Sequence, residues 1–247
     1  MPPSYPFFRW RQVALAISLS LALPGAQAAL TVNATRIVYD SDKRSTSVLV
    51  ANPSERPYAV QTWVNTEADD TTTAVPLLVT PTLFRLDAQK QQLVQISALG
   101  NTLPQDRESL FFFNVQEIPQ STATDKNTLS IALRTRLKVF YRPSGLKGTP
   151  SNHIKDLRWS LHEENGTLHL RVHNPSPYHY TFGRLEVING TQTEHIQSSA
   201  MALPMQTQSY ALGKIRTPRA PRVLFTTIND YGGSTDEVTL PLQFVQP

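Results

Sequence analysis

Residues 129–141 read LSIALRTRLKVFY and alternate almost strictly between apolar and other side chains. Successive residues of a β-strand point to opposite faces of the sheet, so this pattern predicts one long strand of about 43 Å. One face would carry the apolar side chains, namely Leu129, Ile131, Leu133, Leu137 and Val139. The opposite face would carry Ser130, Ala132, Arg134, Arg136 and Lys138. The simplest structure with this pattern is the last strand of a β-sandwich, with its apolar face inward.

Shorter apolar runs flank this segment, and each is bounded by Pro, Gly, Asn or Asp. They predict strands at 36–39, 47–51, 59–64, 93–97 and 110–115. Further along, residues 157–161 and 168–172 alternate on either side of Asn165-Gly166, and residues 185–188 precede Asn189-Gly190. Asn-Gly tolerates the positive φ angles of a tight hairpin turn. Because no 12-residue window repeats at helical spacing, we predict an all-β fold of two β-sandwiches.

The N-terminus has the pattern of an export signal. Arg9 and Arg11 precede the apolar run 13–23, which is followed by Pro24-Gly25 and the small-x-small sequence 26–28. The run is shorter than the roughly 20 residues that a bilayer requires. We predict a signal peptide at 1–28 and, because no later apolar stretch is long enough, no membrane span.

The segment 143–150 contains two prolines and two glycines and follows the longest predicted strand. Such composition is typical of a linker between domains. We therefore predict an N-terminal domain at 29–147 and a C-terminal domain at 148–247.

Composition argues against several functional classes. The chain has no cysteine, which excludes thiol catalysis and cysteine-based metal sites. Its net charge is +4, or +2 without Arg9 and Arg11, and no basic run suggests a nucleic-acid partner. We expect no enzymatic activity, no catalytic residues, no cofactor and no metal, because no nucleophile, metal or phosphate motif is found. All six histidines are predicted to be exposed polar residues: His153, His162, His169, His173, His179 and His195.

Several motifs in order resemble one known family, the PapD-like periplasmic pilus-assembly chaperones. In the first domain they lie at 35–39, 80–86, 103–110, 114–115, 117–119 and 136–143. The second domain matches more weakly, at 174–178 and 227–232. The resemblance implies two immunoglobulin-like domains in a boomerang arrangement. One departure is that many relatives have a cysteine pair in the second domain, which this chain lacks.

The resemblance also implies a function and a binding site. A chaperone of this family completes a pilus subunit by donating an edge strand, and the donor residues here would be Leu129, Ile131 and Leu133. The C-terminal carboxylate of the subunit would be anchored by Arg36 and Lys138, which would face it and no partner within their own chain. Arg offers a fixed fork of donors and Lys a compact charge, and a carboxylate can accept from both.

Further expectations follow from the same resemblance. Glu108, Arg142 and Asp230 would form an ionic cluster between the domains. The chain would work in the periplasm, deliver subunits to an outer-membrane usher, and cap itself as a homodimer when free. The short loop between Ile118 and Leu129 resembles the short-loop branch of the family.

Other classes of protein explain part of the pattern. An exported immunoglobulin-like adhesive, or a module that binds a glycan or a receptor, would have the same fold and signal. Such a module has no need for a long alternating edge strand beside two cations. A periplasmic hydrolase is a weaker alternative, because no set of nucleophile, base and orienting residue is found.

Overall fold

The computed structural model describes residues 30–70, 72–100, 102–118, 132–197, 200–216 and 219–245. The predicted signal peptide at 1–28 lies outside them. The regular structure in these residues is β, apart from one 3-10 helix at Pro150–Asp156, and it forms two domains, each with its own core. The predicted all-β fold with two sandwiches is therefore confirmed. Within the described ranges, no helix combines the length and the apolar character needed to cross a membrane.

The first domain is a sandwich of two sheets. Its strands, among the residues described, are β1 (Thr31–Val32), β2 (Arg36–Asp40), β3 (Thr46–Ala51), β4 (Tyr58–Asn65), β5 (Leu77–Thr80), β6 (Leu83–Leu86), β7 (Gln91–Ala98), β8 (Ser109–Ile118) and β9 (Arg134–Arg142). One sheet has the order β1-β3-β7-β5 and the other β2-β9-β8-β4-β6. Neighbouring strands are antiparallel except β2 and β9, which are parallel.

The core of the first domain lies between these two sheets. Alternate residues are buried along each facing strand, such as Val48 and Val50 in β3 and Val94 and Ile96 in β7. Burying one such side chain stabilises the fold by about 1.5–3 kcal/mol. The alternation in the sequence thus corresponds to the face that each strand buries.

Strand β9 is shorter than the strand predicted from the sequence. It begins at Arg134, whereas the prediction began at Leu129. Leu129 and Ile131 lie outside the described residues, and Leu133 precedes the strand with 54% of its surface exposed. Regular pairing of β9 with β8 ends at Arg134. The amide of the preceding residue, Leu133, donates to the side-chain carboxylate of Glu117 at 3.2 Å, and not to a backbone carbonyl of β8.

Within β9, the two faces are those that the alternation predicts. Leu137 and Val139 are buried in the core of the first domain. Arg136 and Lys138 lie on the opposite face and are half-buried. The strand therefore presents its cations on the outer face of the sheet.

The second domain is also a sandwich and follows the connection at 143–149. Its strands, within the described ranges, are β10 (Arg158–Glu164), β11 (Thr167–Asn174), β12 (Phe182–Asn189), β13 (Gln192–His195), β14 (Gln206–Ala211), β15 (Arg222–Thr227), β16 (Val238–Pro241) and β17 (Gln243–Val245). The sheet orders are β14-β11-β10-β17 and β13-β12-β15-β16.

Both hairpins predicted in this domain are present. Asn165 and Gly166 have φ angles of 53° and 75° and join β10 to β11, as predicted. In the second hairpin, Asn189 is still paired within the ladder, and the turn is formed by Gly190 and Thr191. Gly190 has a φ of 63°, which suits the first central position of a type II′ turn.

The strands that the sequence did not predict are mostly short. β1, β5, β6, β16 and β17 have two to four residues, too few for a period of two to stand out. β5 and β6 also flank Pro81, and a proline within an apolar run weakens a strand prediction. Their positions are decided by pairing with longer neighbours.

Candidate functional site

The first half of β9 has one edge without a neighbouring strand. β8 pairs with β9 from Arg134 to Tyr141, but β2 pairs with it only from Lys138 to Arg142. On the side of β2, residues 134–137 therefore adjoin no strand of the described chain. An edge of this kind presents unpaired backbone groups to which another chain can add a strand.

The ladder with β8 shows which backbone groups face this edge. The carbonyl of Leu133 accepts from the amide of Glu117 at 3.1 Å, so the backbone groups of Leu133 are directed toward β8. Successive residues of an antiparallel strand direct their backbone groups to opposite sides. The backbone groups of Arg134 and Arg136 therefore point toward the free edge.

Two cations lie where the free edge ends. Arg36 in β2 and Lys138 in β9 are register partners on adjacent strands, so the structure brings together the two residues predicted as anchors. Both also contact the second domain. The Nη1 atom of Arg36 donates to the carbonyl of Ile228 at 3.0 Å, and the Nζ atom of Lys138 donates to Thr181 Oγ1 at 3.1 Å. Our expectation of no partner within the chain is therefore wrong, although both acceptors are neutral.

The surroundings of these two cations favour an anion. Burial lowers the pKa of Arg36, and the carboxylate of Asp230 offsets only part of this effect. Burial also lowers the pKa of Lys138, and the neighbouring charge of Arg36 lowers it further. The Arg36 Nε is buried with no hydrogen-bond partner among the described residues. A bound carboxylate would relieve both the repulsion and the lost hydration.

The other cations on this face of β9 differ from Lys138. Arg134 binds both oxygens of Asp69, at 2.5 and 2.6 Å, and lies over a tryptophan ring. Arg136 donates to the carbonyl of Thr66 at 2.7 Å and stacks over the ring of Phe112 at 3.9 Å. Both are therefore held by their own domain, whereas Lys138 has no such carboxylate or carbonyl contact within the described ranges.

The predicted ionic cluster is present and joins the two domains. Arg142 at the end of β9 donates from Nε to Glu108 at 2.7 Å. Its two terminal nitrogens donate to the oxygens of Asp230 at 2.7 and 3.0 Å. Burial lowers the pKa of Arg142, but hydrogen bonds and charge from the two carboxylates outweigh it and raise the pKa overall. This cluster and Arg36 line one cleft of about 290 Å³.

His179 also belongs to the cluster, although the sequence did not lead us to place it there. Its side chain is only 5% exposed, so the prediction that all six histidines are exposed is wrong here. The second oxygen of Glu108 accepts from the backbone amide of His179 at 2.8 Å and lies 3.1 Å from its Nδ1. Tyr178 and Tyr180 are buried in the second core, and this alternation turns His179 toward the first domain. The alternation was the signal available in the sequence.

Two further histidines pair with nearby carboxylates. His153 lies 2.7 Å from Asp156, and His195 lies 2.8 Å from Glu186. In the part of the chain that is described, no group of three or more His, Asp or Glu side chains is arranged to hold a metal ion.

A glycine in the second domain approaches the first domain closely. Gly232 lies in the loop after β15 and has a φ of 86°. A Cβ atom there would lie 2.0 Å from the Thr35 hydroxyl, just before β2. The preceding Tyr231 is 96% exposed. The loop 229–233 therefore needs glycine at 232 to lie beside the start of β2.

We expect Gly232→Ala to destabilise the protein more than Gly190→Ala does. Both positions have a positive φ, which costs a non-glycine residue about 1–3 kcal/mol. Nothing lies within 4 Å of a Cβ at Gly190, so only Gly232→Ala adds a clash, with Thr35. Urea unfolding of the two variants measures the difference. Equal losses of unfolding free energy would show that the loop does not depend on this approach.

Two family models together match most of the chain. One is described as pili and flagellar-assembly chaperone, PapD N-terminal domain, and matches residues 29–147. The other is described as pili assembly chaperone PapD, C-terminal domain, and matches residues 152–239.

Curated relatives and solved structures agree with these models. The probable fimbrial chaperone YadV of Escherichia coli K12 is 34% identical over 218 residues, covering 84% of this chain and 87% of the relative. The chaperone protein FimB/FhaD of Bordetella pertussis is 35% identical over 243 residues, covering 92% and 96%. The crystal structure of YadV has a TM-score of 0.75 at 33% identity, covering 87% of this chain and all of that one.

A structure of a complex is also similar. The SafB chaperone of Salmonella enterica, solved with the SafA pilin, gives a TM-score of 0.74 at 25% identity, covering 89% of this chain and 99% of the matched chain. Both family models, together with relatives more than 30% identical over most of their length, show that this chain belongs to the PapD-like family of pilus-assembly chaperones.

Proposed function

We propose that this protein binds pilus subunits by adding a strand to them along the free edge of β9, and holds their C-terminal carboxylate between Arg36 and Lys138. One observation carries the proposal: the unpaired edge at 134–137 ends at two adjacent cations that have no carboxylate bonded to them among the described residues. The complex of SafB with a pilin supports the same class of partner.

The first step of binding is addition of a strand. The backbone groups of Arg134 and Arg136 face the free edge, and a strand from the subunit can pair with them. Each backbone hydrogen bond contributes about 0.5–1.5 kcal/mol after the exchange with water. The free energy from backbone hydrogen bonds depends little on the side chains of the partner, so strand addition suits a chaperone that serves several subunits.

The second step is burial of apolar donor side chains. Leu133 is 54% exposed, and Leu129 and Ile131 complete the proposed donor set although they lie outside the described residues. Each buried side chain contributes about 1.5–3 kcal/mol before the cost of ordering the segment.

The third step is capture of the terminal carboxylate, which sets the register. Lys138 lies five residues after Leu133, so an anion held there determines which subunit residues face the donor side chains. If the two paired strands slipped by one residue, the donor side chains would no longer point into the core of the subunit. Arg36 and Lys138 thus supply both affinity and register.

The cellular setting belongs to the same proposal. The chain would be exported by a signal peptide at 1–28, act in the periplasm without enzymatic activity, and deliver subunits to an outer-membrane usher. Because an unpaired edge can pair with another copy, the free protein would cap itself as a homodimer. The short-loop branch remains our assignment within the family.

Binding of a synthetic peptide tests the proposed function. The probe is a labelled 15-residue peptide of alternating apolar and polar residues with a free C-terminal carboxylate, followed by fluorescence anisotropy. Its C-terminal amide is the matched control, because it differs only in the charge of the end group. We expect the amide to bind at least about thirty-fold more weakly than the acid, because it lacks one buried charged contact. Equal affinities of acid and amide would contradict the anchor.

Hydrogen exchange tests the free edge at single residues. In the monomer, the amides of Arg134 and Arg136 should exchange fast, and those of Thr135 and Leu137 should exchange slowly because they face β8. Bound peptide should slow only the first pair. The measurement is NMR of the free and bound protein at a concentration low enough to prevent dimers. Equal protection of all four amides in the monomer would show that the edge is already covered.

A further inference from the structure

Glu117 is a buried carboxylate that the proposed binding site does not use. It lies near the end of β8, on the same face as the core residues Phe113 and Val115, and is 4% exposed. One oxygen accepts the Leu133 amide at 3.2 Å. The other oxygen is buried and has no hydrogen-bond partner in the described residues. Burial raises the pKa of Glu117, and the hydrogen bond from Leu133 opposes the rise.

The two hydrogen bonds between Glu117 and Leu133 are not those of a regular ladder. Gln116 pairs with Arg134, so Glu117 and Leu133 are the next partners in register. The amide of Glu117 donates to the carbonyl of Leu133 at 3.1 Å, as antiparallel pairing requires. The return bond from the Leu133 amide goes to the Glu117 side chain, in place of its backbone carbonyl.

This exchange takes the Leu133 amide out of the regular ladder at the start of β9. The side chain of Glu117 points to the core face, so an amide that donates to it is drawn out of the plane of the ladder. Leu133 is therefore held from β8 on both its amide and its carbonyl, while its side chain stays exposed.

We infer that Glu117 is a positioning residue for subunit binding: its carboxylate sets where the donor segment leaves the sheet and how Leu133 is presented. The inference rests on the proposed function, because Leu133 matters only if the segment is a donor. The bond from Leu133 to Glu117 is itself independent of any subunit, so it can be tested without one.

The first experiment measures hydrogen exchange of the Leu133 amide by NMR in three variants. Glu117→Ala removes the acceptor, and Glu117→Gln keeps an oxygen acceptor without the charge. Gln116→Ala is the matched control, because Gln116 is adjacent and its side chain makes no hydrogen bond within the described structure. We expect Glu117→Ala to raise the exchange rate of this amide about ten-fold, with the two other variants near wild type. Unchanged protection in Glu117→Ala would overturn the inference.

The second experiment measures affinity for the free-carboxylate peptide with the same variants. We expect Glu117→Ala to bind it about ten-fold more weakly, with Glu117→Gln and Gln116→Ala near wild type. Normal affinity of Glu117→Ala, or equal losses for Ala and Gln, would overturn the positioning role. If wild-type protein binds no peptide, the proposed function fails, and the exchange rate of Leu133 still decides whether Glu117 holds the segment.

Discussion

Lys138→Ala is expected to abolish stable capture of a co-expressed pilus subunit while the chaperone itself stays folded. Among the described residues Lys138 has only a hydroxyl partner, so its charge is available to the carboxylate of the subunit. Removing one member of a buried hydrogen-bonded charge pair costs about 2–5 kcal/mol. This corresponds to a loss of affinity of about thirty-fold to several-thousand-fold. Co-purification of tagged variant with subunit measures the loss, and Arg36→Ala should behave alike.

Two controls separate anchoring from folding. Loss of the Lys138 contact with Thr181 should lower the melting temperature by only about 2–4 °C, the effect of roughly 1 kcal/mol. Lys43→Ala removes an exposed lysine that pairs with Asp40 in its own chain, and should leave capture unchanged.

The peptide pair adds a test of direct contact. If Lys138 binds the terminal carboxylate, Lys138→Ala should distinguish the acid from the amide less well than wild type does, because only Arg36 then contacts the end group. Wild-type affinity of Lys138→Ala for the acid contradicts the anchor. Failure of this variant to fold would show that Lys138 is structural.

Glu108→Ala is expected to leave both domains folded but to loosen their relative orientation. The Glu108 carboxylate is 1% exposed and binds Arg142 from its own domain and His179 from the other. Removing one partner of a buried ion pair costs about 3–5 kcal/mol, since the remaining charge stays desolvated. Small-angle scattering should therefore show a broader shape distribution, with an unchanged circular dichroism spectrum.

The order of effects in this cluster provides an internal check. Asp230 is 34% exposed, so water replaces part of what Asp230→Ala removes, and its effect should be smaller. Asp106→Ala is the control, because this exposed acid lies two residues from Glu108 and its ion pair is with its neighbour Arg107, at 3.6 Å. The scattering profile of Asp106→Ala should match that of wild type. If the profile of Glu108→Ala also matches it, the cluster does not set the relative orientation of the domains.

Much of the fold was predictable because its signals are local. Alternation along β9 predicts that Leu137 and Val139 face the core, and the Asn165-Gly166 turn predicts the hairpin of β10 and β11. The candidate site was predictable in a different way. Arg36 and Lys138 were identified by family resemblance, since nothing near either residue in the sequence distinguishes it from an exposed cation.

Other features of the site depend on contacts between distant residues. The alternation of residues 129–141 predicts an unbroken strand, but the carboxylate of Glu117 takes the Leu133 amide and ends the pairing at Arg134. The burial of His179 likewise depends on Glu108, which lies 71 positions earlier in the chain. Neither partner is visible from the local pattern.

By itself, then, the sequence determined most of the longer strands, the faces they bury and the Asn165-Gly166 turn, because periodicity and turn preference act over a few residues. Only the tertiary structure decided which edge of β9 stays open and which of the described cations lack a carboxylate. The contact of Arg36 with Ile228 spans 192 positions and exists only once both sandwiches have formed and docked. Binding sites between domains depend on such long-range packing, since burial and charge at each residue are set by neighbours from the other domain.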